Sequence, residues 1–144
     1  MMRFEGRVFR AGRHWAIEVP LLGVFTQGRT REDAYDMIVD AVSSLATEDL
    51  RIRVYRGRRE YFEIGAEDDA AWTAFFLRRA RLPAGLTLGE VARRLGSRSV
   101  NAYARYEQGR AVPTVAKLWE LLAAVAPERD YVLVESRAGP GRDT

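Results

Sequence analysis

The chain has 144 residues, 23 basic against 20 acidic, and no cysteine. That length holds one ordinary domain or two small ones, and the apolar content is that of a folded protein. The missing cysteine excludes disulfides, thiolate metal sites and thiol nucleophiles.

His14 is the only histidine, and no polar motif has the pairing that catalysis needs. No catalytic residue, metal site or cofactor is therefore expected. No run is long and apolar enough to span a bilayer, and the opening residues do not have a signal-peptide pattern. The expectation is a soluble, cytoplasmic protein with no membrane partner.

The charge is unevenly placed. Residues 1–68 hold eleven Arg against twelve acids, a net of −1. Residues 69–144 hold twelve bases against eight acids, a net of +4, and the window 78–110 alone has eight Arg and two Glu. Such a bias suits phosphates. With 22 Arg to one Lys, it equally suits a solvated face, so charge alone leaves the choice open.

Residues 2–10 alternate, with Phe4 and Val8 on one face and Arg3, Glu5 and Arg7 on the other. A turn at 11–13 leads to a second alternating run at 15–19, ended by Pro20, and a third short run at Val24–Thr26. Period-2 patterning predicts half-buried antiparallel strands. Thr30 then suits an N-cap, with Glu32 and Asp33 at the positive end of a helix. Ala34, Ile38, Ala41 and Leu45 recur at helical spacing and predict the packed face. Residues 51–55 and 61–64 alternate again, predicting a hairpin that completes or extends the sheet.

The residues 14–35, HWAIEVPLLGVFTQGRTREDAY, carry a resemblance. A strand ending in Val19-Pro20, then Gly23 and Thr26-Gln27-Gly28-Arg29-Thr30 before a helix, resembles the HicB antitoxin family over residues 2–55. Leu21 and Val24 depart from it, standing where the family often carries Asp and Cys. The resemblance implies a partial RNase H-like fold that covers a small HicA-like toxin, without chemistry of its own.

Asp68 or Asp69 caps a predicted helix to about Leu82, with Trp72, Phe76 and Ala80 as a stripe and Phe75 beside it. Arg78, Arg79 and Arg81 near its exit are candidates for phosphates. Thr87 with Glu90 forms a capping box for the next helix. Gly96 ends it, Ser97 or Ser99 caps another to about Gln108, and Gly109 ends that. Pro113 and Thr114 start a last helix with Leu118, Leu121, Leu122 and Val125 as its apolar face.

The elements Gly85-Leu86-Thr87, Val91-Ala92, Leu95-Gly96, Tyr106-Glu107-x-Gly109 and Pro113 resemble the Cro/repressor-like, or XRE-type, helix-turn-helix family over residues 76–126. Leu88 stands where the family often has Gln, and the segment from Gly96 to Tyr106 is one residue longer than usual. By the family's arrangement, Arg98, Ser99, Asn101, Ala102 and Arg105 face the base edges of double-stranded operator DNA. Thr87, Arg93, Arg94 and Arg110 are the expected phosphate contacts. A cap for Asn101 and an acidic partner for Arg105 are the structural alternatives.

Residues 131–135 read as a β-type run, either pairing with a second copy or packing on the front sheet. The expectation is thus an α+β chain. Residues 1–67 form a HicB-like toxin-binding domain, with a small antiparallel sheet and one helix. Residues 68–129 form an all-α helix-turn-helix domain. A strand at 130–136, suited to a homodimer or higher even oligomer, and a flexible tail at 137–144 follow. Together these imply a non-enzymatic antitoxin that blocks its toxin and represses its own operon. The alternative is a stand-alone dimeric regulator whose front domain dimerises or senses a ligand.

Overall fold

The computed structural model describes residues 2–138, which divide into two compact units. One unit runs up to Asp68 and is taken up again from Val134; the other is Asp69–Leu133.

The first unit is a five-stranded antiparallel sheet with one helix on one face. Its strands are β1 (Arg3–Ala11), β2 (His14–Val19), β3 (Val24–Gly28), β4 (Ile52–Arg56) and β5 (Tyr61–Ala66), in the order β3-β2-β1-β5-β4. The expected hairpin does extend the sheet: β5 pairs with β1 and β4 takes the edge. Pro20 ends β2 as read from the sequence, opening a short 3₁₀ turn.

Helix α1 (Arg31–Leu45) is capped by Thr30, whose hydroxyl accepts from the Asp33 N–H at 3.0 Å. Its buried face is Ala34, Tyr35, Ile38 and Val42, a correction to the expected stripe. Leu45 is the last residue of the helix and 43% exposed, while Ala41 is half-buried. Tyr35 meets Phe62 edge to face at 5.6 Å, so Phe62 and its alternates on β5 face the helix. Gly28 is needed where β3 passes α1, since a Cβ there would lie 2.3 Å from the Ala34 backbone nitrogen.

Glu63 lies on the opposite face of β5 and is only 3% exposed. The hydroxyl of Tyr61 donates to it, Arg3 donates at 3.2 Å, and Ser136 Oγ donates at 2.6 Å. The Arg137 N–H adds a fourth bond at 3.1 Å. Burial by itself would raise the Glu63 pKa, but these donors outweigh it and hold the carboxyl below the usual range. Arg137 also stacks over the Tyr61 ring at 4.0 Å.

Two sequence expectations change here. Residues 131–135 form no strand, either alone or within the front sheet. Arg137 and Ala138 are docked on Glu63, not loose; the remainder of the expected tail, residues 139–144, lies outside the described residues.

The second unit contains α2 (Asp69–Arg81), α3 (Leu88–Arg94), α4 (Asn101–Glu107) and α5 (Val115–Val125). Helix α2 is its centre and packs against both α4 and α5. Trp72 and Phe75 stack at 5.7 Å with rings 7° apart, and both are fully buried. The aromatic stripe is therefore core.

Two outcomes test this packing. Gly28→Ala should lower unfolding free energy by about 1–3 kcal/mol in urea melts, as overpacking does; an unchanged midpoint would contradict the close approach of β3 to α1. The Glu63 latch should hold above the unfolded carboxylate value of about 4.3 and loosen as pH falls through its lower folded value. Protection of the Arg137 and Ala138 amides, taken relative to an unstructured chain at the same pH, should therefore fall in acid, and in Glu63→Gln should already be low at neutral pH.

Candidate nucleic-acid interface

The interface is built from two short helices and the turns around them. Thr87 caps α3 by accepting from the Glu90 N–H at 3.1 Å, and its hydroxyl donates to Glu90 Oε1 at 3.2 Å. Val91 and Ala92 face inward, and α3 packs on α4. The helix ends at Gly96, which takes φ +76°, while the Ser97 N–H returns to the Ala92 carbonyl at 2.9 Å. A left-handed residue is what that closure requires, and glycine adopts it without steric cost.

The entry to α4 corrects the sequence reading. Neither Ser97 nor Ser99 caps it with a side chain; Val100 occupies the cap position. Ser97 Oγ instead accepts from the Ser99 N–H and donates to the Ser99 carbonyl, both at 3.2 Å. The two serines close a local turn, as such hydroxyls do outside helices.

Helix α4 has two clean faces. Tyr103, Ala104, Tyr106 and Glu107 are buried. Asn101 and Arg105 are exposed and Ala102 is half-buried, with Arg98 and Ser99 exposed in the preceding turn. All five expected base-reading residues thus lie on or beside the outward face of one helix. Asn101 is the first helical residue and does not cap. Among the described residues Arg105 has no acidic partner; its Nη2 donates to the Tyr106 hydroxyl at 3.1 Å and its guanidinium lies 4.9 Å from that ring.

The four expected phosphate residues divide. Arg93 and Arg110 are exposed and have no acidic partner among the described residues. Arg94 is exposed yet donates to the Ala124 carbonyl at 3.0 Å, which draws it toward α5. Thr87 has its hydroxyl committed to the cap.

What sequence reasoning missed is the clamp beneath α4. Arg81 grips Glu107 with two forks, Nε to Oε2 at 2.9 Å and Nη2 to Oε1 at 2.5 Å. Its Nη1 donates to the Leu86 carbonyl at 2.8 Å. Both side chains are largely buried, at 15% and 6% exposed. The bond to Glu107 holds the guanidinium above its ordinary pKa despite burial. Burial, and after it the Glu107 charge, pushes the Tyr103 hydroxyl well above its ordinary value too. Arg81 is therefore a structural residue, a correction to its place among the expected phosphate contacts. Arg78 and Arg79 are half-buried, and Arg78 lies 5.7 Å from the Phe75 ring.

Four helices in this order, with α4 displaying polar side chains beyond a glycine turn, decide the kind of unit. Residues 73–131 match the family model of the helix-turn-helix domain. The match spans α2 from Thr73 through α5 and suggests a DNA-binding regulator. No curated protein matches the chain. The arrangement of the helix-turn-helix unit suits DNA chemically. Arg pairs bidentately with guanine, Asn with adenine, and unpaired Arg meets phosphate. Because Arg81 neutralises Glu107, the nearest buried carboxylate does not offset Arg105. Among the described residues no group of His, Asp and Glu is placed to hold a metal, and no helix is long and apolar enough to cross a membrane.

Glu107→Gln should cost the helix-turn-helix unit about 3 kcal/mol, because Arg81 would keep its charge without a counter-charge. Urea unfolding followed by tryptophan fluorescence in a Trp15→Phe, Trp119→Phe background, which leaves Trp72 alone, measures it. A change below about 0.5 kcal/mol, the range of an ordinary surface substitution, would contradict the clamp.

Proposed function

We propose that this chain is an antitoxin–repressor: its helix-turn-helix unit reads operator DNA, and its front unit covers a small HicA-like toxin. The observation that carries the DNA half is the outward face of α4, where Asn101 and Arg105 stand exposed beside Arg98 and Ser99. Arg93 and Arg110, exposed and without an acidic partner among the described residues, serve as cations for the backbone. In this role base contacts give sequence and phosphate contacts give affinity.

The antitoxin half rests on the HicB-like segment around Thr26-Gln27-Gly28-Arg29-Thr30. That segment forms the end of β3 and the capped entry to α1. Beside it Phe25 on β3 is 66% exposed and Leu21, in the 3₁₀ turn before that strand, 40% exposed, apolar surface of a kind that marks protein contacts. Neutralisation would be steric, so the front unit needs no reacting groups.

Arg105→Ala should relax preference at one base pair, costing on the order of 1–3 kcal/mol there; unchanged affinity for a selected operator would remove Arg105 as a reader. Arg93→Ala should weaken binding to every duplex alike and flatten the dependence on salt. For the antitoxin half, co-expression with a small, basic HicA-like protein should yield a stable complex. Failure of the two to bind across a range of salt and pH would overturn that half alone.

A further inference from the structure

The charge of the first unit is distributed in a way that its total conceals. Residues 1–68 sum to −1, yet one end of the sheet gathers arginines. In the strand register Arg10 lies opposite Trp15, and Trp15 opposite Gly28, the residue before Arg29. The turn between β1 and β2 carries Arg13. The turn between β4 and β5 carries Arg58 and Arg59 and lies along the other side of β1, where the Val8 N–H donates to the Glu60 carbonyl at 2.8 Å. Arg31, the first residue of α1, ties this end together: its Nη2 donates to the Arg59 carbonyl and its guanidinium lies 5.9 Å from the Trp15 ring.

Five of these arginines are left for a ligand. Arg10, Arg13, Arg29, Arg58 and Arg59 are exposed and have no acidic partner among the described residues. The carboxylates beside them in the chain are engaged. Arg56 holds Glu32 through Nη2 at 2.6 Å, and Arg7 holds Glu60 through Nη2 at 2.7 Å. Asp33, half-buried, accepts the Arg29 N–H at 2.8 Å and closes the start of α1.

The chemistry of this end narrows the ligand. None of the exposed large apolar side chains among the described residues lies there, so a protein partner would find no central hydrophobic contact of the kind interfaces rely on. Single-stranded nucleic acids bind by stacking bases on free aromatic rings. Here Trp15 and Phe9 are half-buried, and each has a guanidinium near its ring, Arg31 at 5.9 Å and Arg7 at 4.9 Å. A duplex stacks its bases inside and presents phosphates at regular spacing, which cations alone can meet.

We propose that this arginine end of the first unit is a second DNA surface, which binds the phosphates of duplex DNA without regard to sequence. It goes beyond both halves of the proposed function. No base is read there, and a basic toxin would be repelled by five like charges.

Arg13→Gln, Arg29→Gln and Arg58→Gln together remove three of the cations, all exposed. In the full chain, the slope of log affinity against log salt for a random-sequence duplex should flatten by about 2 to 3, roughly 0.9 per phosphate contact, and affinity at about 0.1 M salt should fall at least about tenfold. Lysine at the same three positions should keep the slope, because such a contact needs only the charge. An unchanged slope in the glutamine variant would overturn the proposal. So would a loss confined to single-stranded DNA or RNA of the same length, or to phosphatidylserine vesicles.

Overall charge is separated from location by adding Asp36→Asn, Asp40→Asn and Glu48→Gln to the glutamine variant, which restores the net charge elsewhere. Affinity should stay low; its recovery would contradict a local surface. The same losses are expected in an Arg105→Ala background, so this surface and base reading by α4 stand or fall separately.

The chain has no native cysteine, so a photo-crosslinker can be placed at one site. Attached at Ala11→Cys, on the exposed hairpin end beside Arg10 and Arg13, it should label the duplex. Attached at Asp40→Cys, exposed farther along α1, it should not. Equal labelling from the two positions would overturn the proposal.

Discussion

The Arg81 guanidinium reaches both oxygens of Glu107 and the carbonyl of Leu86. Those three bonds join the end of α2, the approach to α3 and the exit of α4. A bidentate Arg–carboxylate pair fixes orientation as well as distance, so α4 is held against α2 in one pose. With seven residues, α4 is too short to be stable on its own. Its outward side chains are useful only because the inward ones, Tyr103, Tyr106 and Glu107, are locked.

Local signals in the sequence were the most legible. Thr30, Thr87 and Thr114 each cap a helix through a bond to an N–H three residues on. Such bonds depend on neighbours alone, and so does the alternation that fixed the strands. The faces of α4 followed from spacing: Tyr103 and Tyr106 turned inward, Asn101 and Arg105 outward. The clamp was not legible, because Arg81 and Glu107 are 26 residues apart and each looks like a surface charge in its own helix. Glu63 was hidden for the same reason. Its alternation marks a solvent face, and burial comes from chain that returns 73 residues later. The serines before α4 misled because a hydroxyl can close a turn as readily as cap a helix.

The two buried carboxylates among the described residues show one solution used twice. Glu63 and Glu107 are each held by an arginine, and donors surround Glu63 on several sides. Satisfied in this way, a buried charge specifies geometry, whereas half-satisfied it would unfold its surroundings. In the first unit it pins residues 136–138 to the sheet; in the second it positions a helix. Meanwhile Arg93, Arg98 and Arg110 are exposed, with no acidic partner among the described residues. The division between arginines that build and arginines that remain available is what separates a folded basic domain from a nucleic-acid surface.

The central claim is that the outward face of α4 selects particular DNA sequences. Selection of duplexes from a random pool by the full chain, at near-physiological salt, tests it most directly. The account predicts enrichment of one shared motif, with guanine or adenine at its invariant positions. Recovery of duplexes with no common sequence would contradict it, leaving a basic surface without a reader.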